Sequence, residues 1–308
     1  MFEGVLGIRK PIFGLDIGYQ TMKVVQVKGG GRRASLLGAA EVAIPAHSLS
    51  KDGVKDKQKI AQIILQAMKA ARPHSISARI VSSALPESLV FTKSLDLPRM
   101  TSEEINKNIP YQATEFFPIP ADETYMDWQI VGSHPVNNTM EVLVVAAPKI
   151  LVDSLIGVVA LAGLELLGLE TKPSAVVRAI VPPAEPGPYL ILDIGAKTTG
   201  LTCYDQGTIK LTSTAAIGGN EIQKDFAATL KVLSSEIIHL IKYYQNRIGQ
   251  AQIFRKIMLA GGGANLERVP ETIEALTKIK TEIGLPQIRL KNYDPKFATA
   301  IGLAMKEI

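Results

Sequence analysis

Residues 12–31 read IFGLDIGYQTMKVVQVKGGG, and residues 190–208 read LILDIGAKTTGLTCYDQGT. Aligned without gaps, Leu-Asp-Ile-Gly recurs: Asp16 falls on Asp193, Gly18 on Gly195, Thr21 on Thr198 and Gly30 on Gly207. In each copy an apolar run ends in Asp-Ile-Gly, a few polar residues follow, and a second extended run leads to a glycine. That is the pattern of a strand, a tight turn and a returning strand. A third strand is expected after each, over 34–44 and 209–216. Internal repetition marks a duplicated structural unit, so two similar domains facing each other are predicted.

Between the copies, Ile60, Ile63, Ile64 and Ala67 give 57–71 the spacing of an amphipathic helix, and 76–81 reads as a strand. From 86 to 162 the pattern changes to a small α/β insert: strand 89–95, helix 102–117, strands 125–131 and 140–146, helix 149–162. Thr101-Ser102-Glu103-Glu104 suits a cap with an acidic first turn, Pro110 should kink that helix, and Trp128 reads as insert core. After the second copy come helices 219–230 and 234–247, strand 257–259, a glycine turn and a closing helix 295–306.

The 308-residue chain is 46% hydrophobic and 20% charged, with 25 glycines and 18 prolines, which suits a folded protein of two domains and excludes disordered or collagenous classes. The single cysteine, Cys203, allows no internal disulfide or cysteine cluster and points to a reducing compartment; within its apolar strand it reads as packing. His47, His74, His134 and His239 lie far apart, without metal-ligand spacing. The net charge is +5, but basic residues are scattered apart from short patches at 32–33 and 51–59. No aromatic-rich basic stripe appears, which argues against nucleic acid as a partner. The apolar stretch 150–169 is interrupted by Asp153 and Glu165 and divided by Gly163 and Gly168, so it reads as a helix and a strand rather than a membrane span. MFEGVLGIRKP makes a poor signal peptide, and GLAMKEI makes no amphipathic anchor.

A carboxylate at a strand end, followed at once by glycine, suits a magnesium–phosphate site, where the aspartate reaches the metal and glycine lets backbone N–H groups approach phosphate. Asp16 with Gly18 and Asp193 with Gly195 supply this twice, making both aspartates candidate metal ligands. Two such hairpins could pinch one polyphosphate across an interdomain cleft. Thr21, Lys23, Thr198 and Thr199 add hydroxyls and an ammonium at the turns, and Ala196 lies within the second turn. Gly261-Gly262-Gly263-Ala264 could lay backbone against a base or phosphate, although a bare glycine run is more often only a turn. Gly218-Gly219-Asn220 offers the same two readings, with Asn220 a competent N-cap. No Gly-x-Ser-x-Gly elbow or Walker loop is present.

The order Leu-Asp-Ile-Gly, Asp-Ile-Gly-Ala-x-Thr-Thr, Gly-Gly-Asn, Gly-Gly-Gly-Ala and Ala-x-Gly-Leu-Ala resembles the actin-like ATPase superfamily over nearly the whole chain. FGLDIGYQTMKVVQV, MEVLVVAAPKILVDS, ALAGLELLGLETKPSAVVRA and IMLAGGGANL are similar to its PilM family of type IV pilus assembly. The resemblance implies an α/β actin-like ATPase fold of two duplicated domains with an FtsA-type 1C insert and a reduced 2B subdomain. The corresponding division is 1A over 1–85 and 163–186, 1C over 86–162, 2A over 187–217 and 257–308, and 2B over 218–256. It also implies ATP and Mg2+ at the residues named above.

As partner, the resemblance implies a PilN-like inner-membrane protein, whose cytoplasmic N-terminal peptide docks between the first domain and the insert, near strands 89–95 and 140–146 and helix 149–162. Other pilus assembly platform proteins would join it, placing the chain in the cytoplasm at the inner face of the inner membrane. The expected function is a nucleotide-binding scaffold with weak or absent hydrolysis. The alternative is an active ATPase or small-molecule kinase of the same superfold. An FtsA-like tethered filament and a secretion-system relative fused to a membrane span fit less well, for want of an anchor or a span. One departure stands out: segment 221–259 is short and lacks the family's Glu-Glu-Ala-Glu-x-x-Lys pattern. Glu236 and Lys242 are the stand-ins, set against the plainer reading of a solvated helix face.

Overall fold

The computed structural model describes residues 10–29, 34–134, 138–248, 254–290 and 292–306. Gly30, the basic pair at 32–33, most of the amino-terminal segment and residues 307–308 lie outside the described residues, as does the side chain of His134.

β1 (Ile12–Ile17) and β2 (Thr21–Lys28) form the first hairpin, and β3 (Ser35–Ala43) adds the third antiparallel strand. A short pair, β4 (Leu49–Ser50) and β5 (Gly53–Val54), leads into α1 (Lys57–Ala70). α1 begins where Asp56 accepts a hydrogen bond from the Lys59 N–H at 2.9 Å, and it buries Ile60, Ile63, Ile64 and Ala67 in the first core. β6 (Arg72–Pro73) edges β3, and β7 (Ile80–Leu85) pairs parallel with β1. The strand expected at 76–81 therefore starts later. Ile76 and Ala78 are buried as their alternation suggests, but the Ile76 N–H bonds to the Met68 carbonyl of α1. Pairing with β1 begins only at Ile80.

The insert comprises β8 (Phe91–Pro98), α2 (Ser102–Phe116), β9 (Thr124–His134) and β10 (Thr139–Pro148), with strand order β8-β10-β9. Leu95, Leu97, Ile105, Ile109, Val142 and Val144 make its core. A capping box opens α2: the Thr101 Oγ1 accepts from the Glu104 N–H at 3.3 Å, and the Glu104 Oε2 accepts from the Thr101 N–H at 2.7 Å. The helix runs on through Pro110. Trp128 packs against this core and donates through Nε1 to the Asn106 Oδ1 at 2.6 Å.

α3 (Lys149–Leu161) was expected to belong to the insert, yet it packs on the first lobe. Leu151, Leu155, Val158 and Val159 join the core of α1 and β1, and the buried Ser154 Oγ accepts from the Val54 N–H at 2.7 Å. The insert sheet has α2 on its core, so the apolar face of α3 is buried beside α1 instead. β11 (Glu165–Thr171) then returns to the first sheet, whose order is β11-β7-β1-β2-β3-β6, and α4 (Lys172–Ile180) follows.

The second lobe repeats the plan with β12 (Tyr189–Ile194), β13 (Thr199–Asp205), β14 (Thr208–Ala215), α5 (Gly219–Lys224), α6 (Phe226–Ile248), β15 (Lys256–Ala260), α7 (Val269–Thr277), β16 (Thr281–Ile283) and α8 (Ala298–Ala304). Its order, β14-β13-β12-β15-β16, reproduces the first sheet without β6. Registers coincide as well: Asp16 lies opposite Lys23 and Asp193 opposite Gly200, equivalent positions of the repeat. The helix break expected within 231–233 falls at Asp225 instead. There the Asp225 Oδ1 caps α6 by accepting from the Ala228 N–H at 3.1 Å, and Leu230, Leu233 and Ile237 form one buried stripe.

α4 and α8 lie between the sheets, sharing a core with Val25 of β2 and Tyr189 and Ile191 of β12. The approach is close: a Cβ on Gly302 would strike the Ala175 carbonyl, and one on Gly14 the Ala300 carbonyl. Among the described residues, no helix is long and apolar enough to cross a membrane.

Candidate functional site

The carboxyl ends of β1 and β12 meet at the seam between the lobes, and the turns after them wall a cleft of about 250 Å³. The two turns close alike: the Gly18 N–H donates to the Thr21 carbonyl at 2.9 Å, and the Gly195 N–H to the Thr198 carbonyl at 2.9 Å. These two glycines therefore serve the turn, their N–H groups being engaged within it.

Of the residues named from the sequence, Asp16, Gly18, Thr21 and Lys23 line one wall, and Asp193, Gly195, Ala196 and Thr198 the other. Gly219, Asn220, Gly261, Gly262 and Gly263 complete the lining. Three stand back from it. Thr199 is fully buried and its Oγ1 donates to the Ile217 carbonyl at 2.7 Å. Gly218, not Asn220, is the N-cap of α5; it packs on Ala196 and Lys197, and its N–H bonds to the Glu221 carboxylate at 3.1 Å. Ala264 belongs to the second core.

The Gly219 and Asn220 N–H groups donate to the carbonyls of Gly195 and Ala196 at 2.8 and 3.0 Å, pinning the second turn to α5. Gly261 has a φ of 82° and lies against the Ile194 carbonyl and the Asp193 carboxylate, while Gly263 lies against the Ile194 side chain. Packing thus requires glycine at 261 and 263 whatever the run holds, while Gly262 has room for a Cβ. A 3₁₀ turn over Gly262–Asn265 takes in the end of the run, and α7 starts at Val269.

The charges at the cleft floor centre on a residue that the sequence reading missed. Lys172, the first residue of α4, places its Nζ 2.8 Å from the Asp16 Oδ1, the two side chains being only 18% and 7% exposed. Burial opposes the charge on Lys172, but Asp16, Asp193 and Glu87 together raise its pKa. Burial likewise opposes ionisation of Asp16, yet Lys172 and Lys23 carry its pKa below the ordinary value. Asp193 goes the other way: burial raises it, with Lys172 opposing and the Asp16 charge adding. Glu87, whose carboxyl lies over Gly200, is pushed up to about 8 by burial and by Asp193, and so is mostly protonated at neutral pH.

At the mouth, the Lys23 Nζ donates to the Thr21 Oγ1 at 2.7 Å and lies 3.4 Å from Glu41. Lys296 lies 2.9 Å from Glu41 and 3.0 Å from Asp294. This donor set of ammonium, hydroxyl and backbone groups suits an anion. A divalent ion held directly by Asp16 and Asp193 would sit beside the Lys172 ammonium, which already contacts the Asp16 Oδ1. Among the described residues, no group of three His, Cys, Asp or Glu is placed to hold a metal. Glu236 and Lys242 are exposed on α6 and do not line the cleft, and His47, His74 and His239 are exposed.

A second concavity, a groove of about 520 Å³, lies where the insert meets both lobes. Leu143 and Val145 of β10, Thr92 of β8 and Val152 of α3, from the elements named for the groove, line it, and Leu169 of β11, from an element not named, joins them. The run Tyr125 to Gln129 of β9, and Ile209 and Thr212 of β14 in the second lobe, were not foreseen. β9 and β11 are edge strands of their sheets.

Among solved structures, the one described as the PilM-PilN type IV pilus biogenesis complex matches with a TM-score of 0.79 at 22% identity, covering 96% of this chain and 98% of that one. The ethanolamine utilization protein EutJ from Carboxydothermus hydrogenoformans matches at 0.54 and 16%, covering 98% of this chain and 90% of that chain. MreB 5 of Spiroplasma citri bound to AMPPNP matches at 0.51 and 13%, covering 95% and 94%. These likenesses establish the actin-like fold. A model of the cell division protein FtsA family matches residues 190–302. The model described as type IV pilus assembly protein PilM matches residues 14–236, from β1 into α6, and the chain belongs to that family.

Proposed function

We propose that this protein is a scaffold of type IV pilus assembly that holds ATP in the interlobe cleft and captures the cytoplasmic N-terminal peptide of a PilN-like inner-membrane protein in the groove beside the insert. It works by binding rather than turnover, on the cytoplasmic side of the inner membrane, drawn there by its partner together with other platform proteins. The groove is the observation that carries the reading. It offers the apolar side chains of Leu143 and Val145 of β10 and Leu169 of β11, and two edge strands, β9 and β11, border it. An extended peptide can add its backbone to such an edge while alternate side chains enter the apolar floor. The solved PilM-PilN complex, matched along nearly its whole length, supports the choice of partner.

In the cleft, Thr21, Thr198, Lys23 and the backbone of Gly262 and Gly263 would face the phosphates, with Leu266 and Gln223 at the side of a base. Bound nucleotide would supply a cross-link between the lobes. A peptide that orders on binding should bind with micromolar affinity, about −8 kcal/mol.

The test is fluorescence anisotropy of a labelled N-terminal peptide of the PilN-like protein titrated with the full chain. Micromolar binding by the wild type and a loss of about tenfold or more, roughly 1.4 kcal/mol, in Val145→Glu are expected. Absence of binding to the wild type, or an unaffected Val145→Glu, would contradict the reading.

A further inference from the structure

We infer that Lys172 is the built-in cation of this cleft, standing against Asp16 in the floor that Asp193 also lines, so that a nucleotide's phosphates are taken up without metal. The inference rests on the reading of the cleft as a nucleotide site, and it changes what that site requires.

Three observations carry it. The first is position. Lys172 opens α4 directly ahead of Pro173, at the end of a helix whose dipole disfavours a cation. A buried ammonium there needs a carboxylate to hold it, and Asp16 is 2.8 Å away. The second is charge balance. Lys172 faces Asp16 directly, and the other carboxyls at the floor, Asp193 and Glu87, lie in its field. A divalent ion added between Asp16 and Asp193 would meet an ammonium already 2.8 Å from the Asp16 carboxylate. Like charges a few ångströms apart in a shielded site repel strongly. The third is reach: Lys172 lines the cleft, and an ammonium has three donors, so pairing with Asp16 leaves hydrogens for phosphate oxygen.

The test uses the full chain with two readouts. In calorimetry with ATP, wild-type affinity should differ by less than about threefold between EDTA and millimolar magnesium. Lys172→Gln should lose about tenfold or more in EDTA, regaining part of it with magnesium. A wild type that loses tenfold or more in EDTA would overturn the inference. If ATP binds under neither condition, the nucleotide reading fails, and thermal unfolding without nucleotide decides the cation claim separately. Magnesium should leave the wild-type Tm unchanged and raise that of Lys172→Gln, whose carboxylates are then open to metal. A magnesium-induced rise in the wild type, or none in Lys172→Gln, would overturn it. Should Lys172→Gln not fold, the wild type and Lys172→Arg carry the test, and a magnesium response in either overturns it.

Discussion

Lys210 of the second lobe and Glu141 of the insert face each other at 3.3 Å, with side chains only 6% and 11% exposed. The same ammonium donates to the Val131 carbonyl at 2.5 Å, the Ser94 Oγ donates to the Glu141 Oε1 at 2.9 Å, and Arg247 of α6 lies 3.3 Å from the same Oε1. The insert is thus clasped to the second lobe through buried charge, while its chain connections run into the first. Breaking a buried pair by removing one partner costs up to about 3–5 kcal/mol, whereas replacing both partners by apolar groups can be neutral. Lys210→Met should therefore lower stability in urea denaturation, and Lys210→Met/Glu141→Leu should recover part of the loss, the Arg247 guanidinium keeping Asp96 at 3.6 Å while Ser94 loses its acceptor. A double variant no more stable than the single one would contradict the clasp.

The crossing of α8 over α4 leaves no room beside Gly302, where an added Cβ meets the Ala175 carbonyl rather than a side chain that could swing away. Overpacking of this kind costs about 1–3 kcal/mol, and the rigid backbone partner places Gly302→Ala at the upper end. Its Tm should fall by several degrees. A variant that melts with the wild type would show that the two helices are further apart.

Glu87 gives stability a pH dependence whose sign can be worked out. Its folded pKa, about 8, lies above the ordinary 4.5, so between those values the folded state holds a proton that the unfolded state has lost. Stability from this group is therefore intact below about 4.5 and falls as pH rises towards about 8, by up to about 1.4 kcal/mol per pH unit. Glu87→Gln, which cannot ionise, should flatten that decline and melt higher than the wild type at mildly alkaline pH. Parallel profiles for the two proteins would contradict the placement of Glu87.

Much of this architecture was legible in the sequence because a duplication doubles every signal. Leu-Asp-Ile-Gly alone is only a turn, but two copies in register located both hairpins, the cleft and the paired aspartates. What stayed hidden depends on tertiary packing. α3 looked like part of the insert because it follows β10 without a break, and only the open place beside α1 draws it into the first core; an insert deletion must therefore stop before Lys149. Thr199 and Ala264 share motifs with cleft residues but point to the other side of strand and turn, a difference of one residue that the motif does not encode. Lys172 left one readable trace, a lysine at the unfavourable end of a helix, whereas its partner Asp16 lies far away in the sequence.

The most direct check on the central claim is hydrogen exchange of the full chain with and without the N-terminal peptide of the PilN-like protein. The account predicts slowed exchange in β9 around Tyr125 to Gln129 and in β11 around Leu169, the edges that flank the groove. The hairpin turns at Gly18 and Gly195 should exchange as before. Protection confined to those cleft turns, or unchanged exchange in β9 and β11 at saturating peptide, would contradict it.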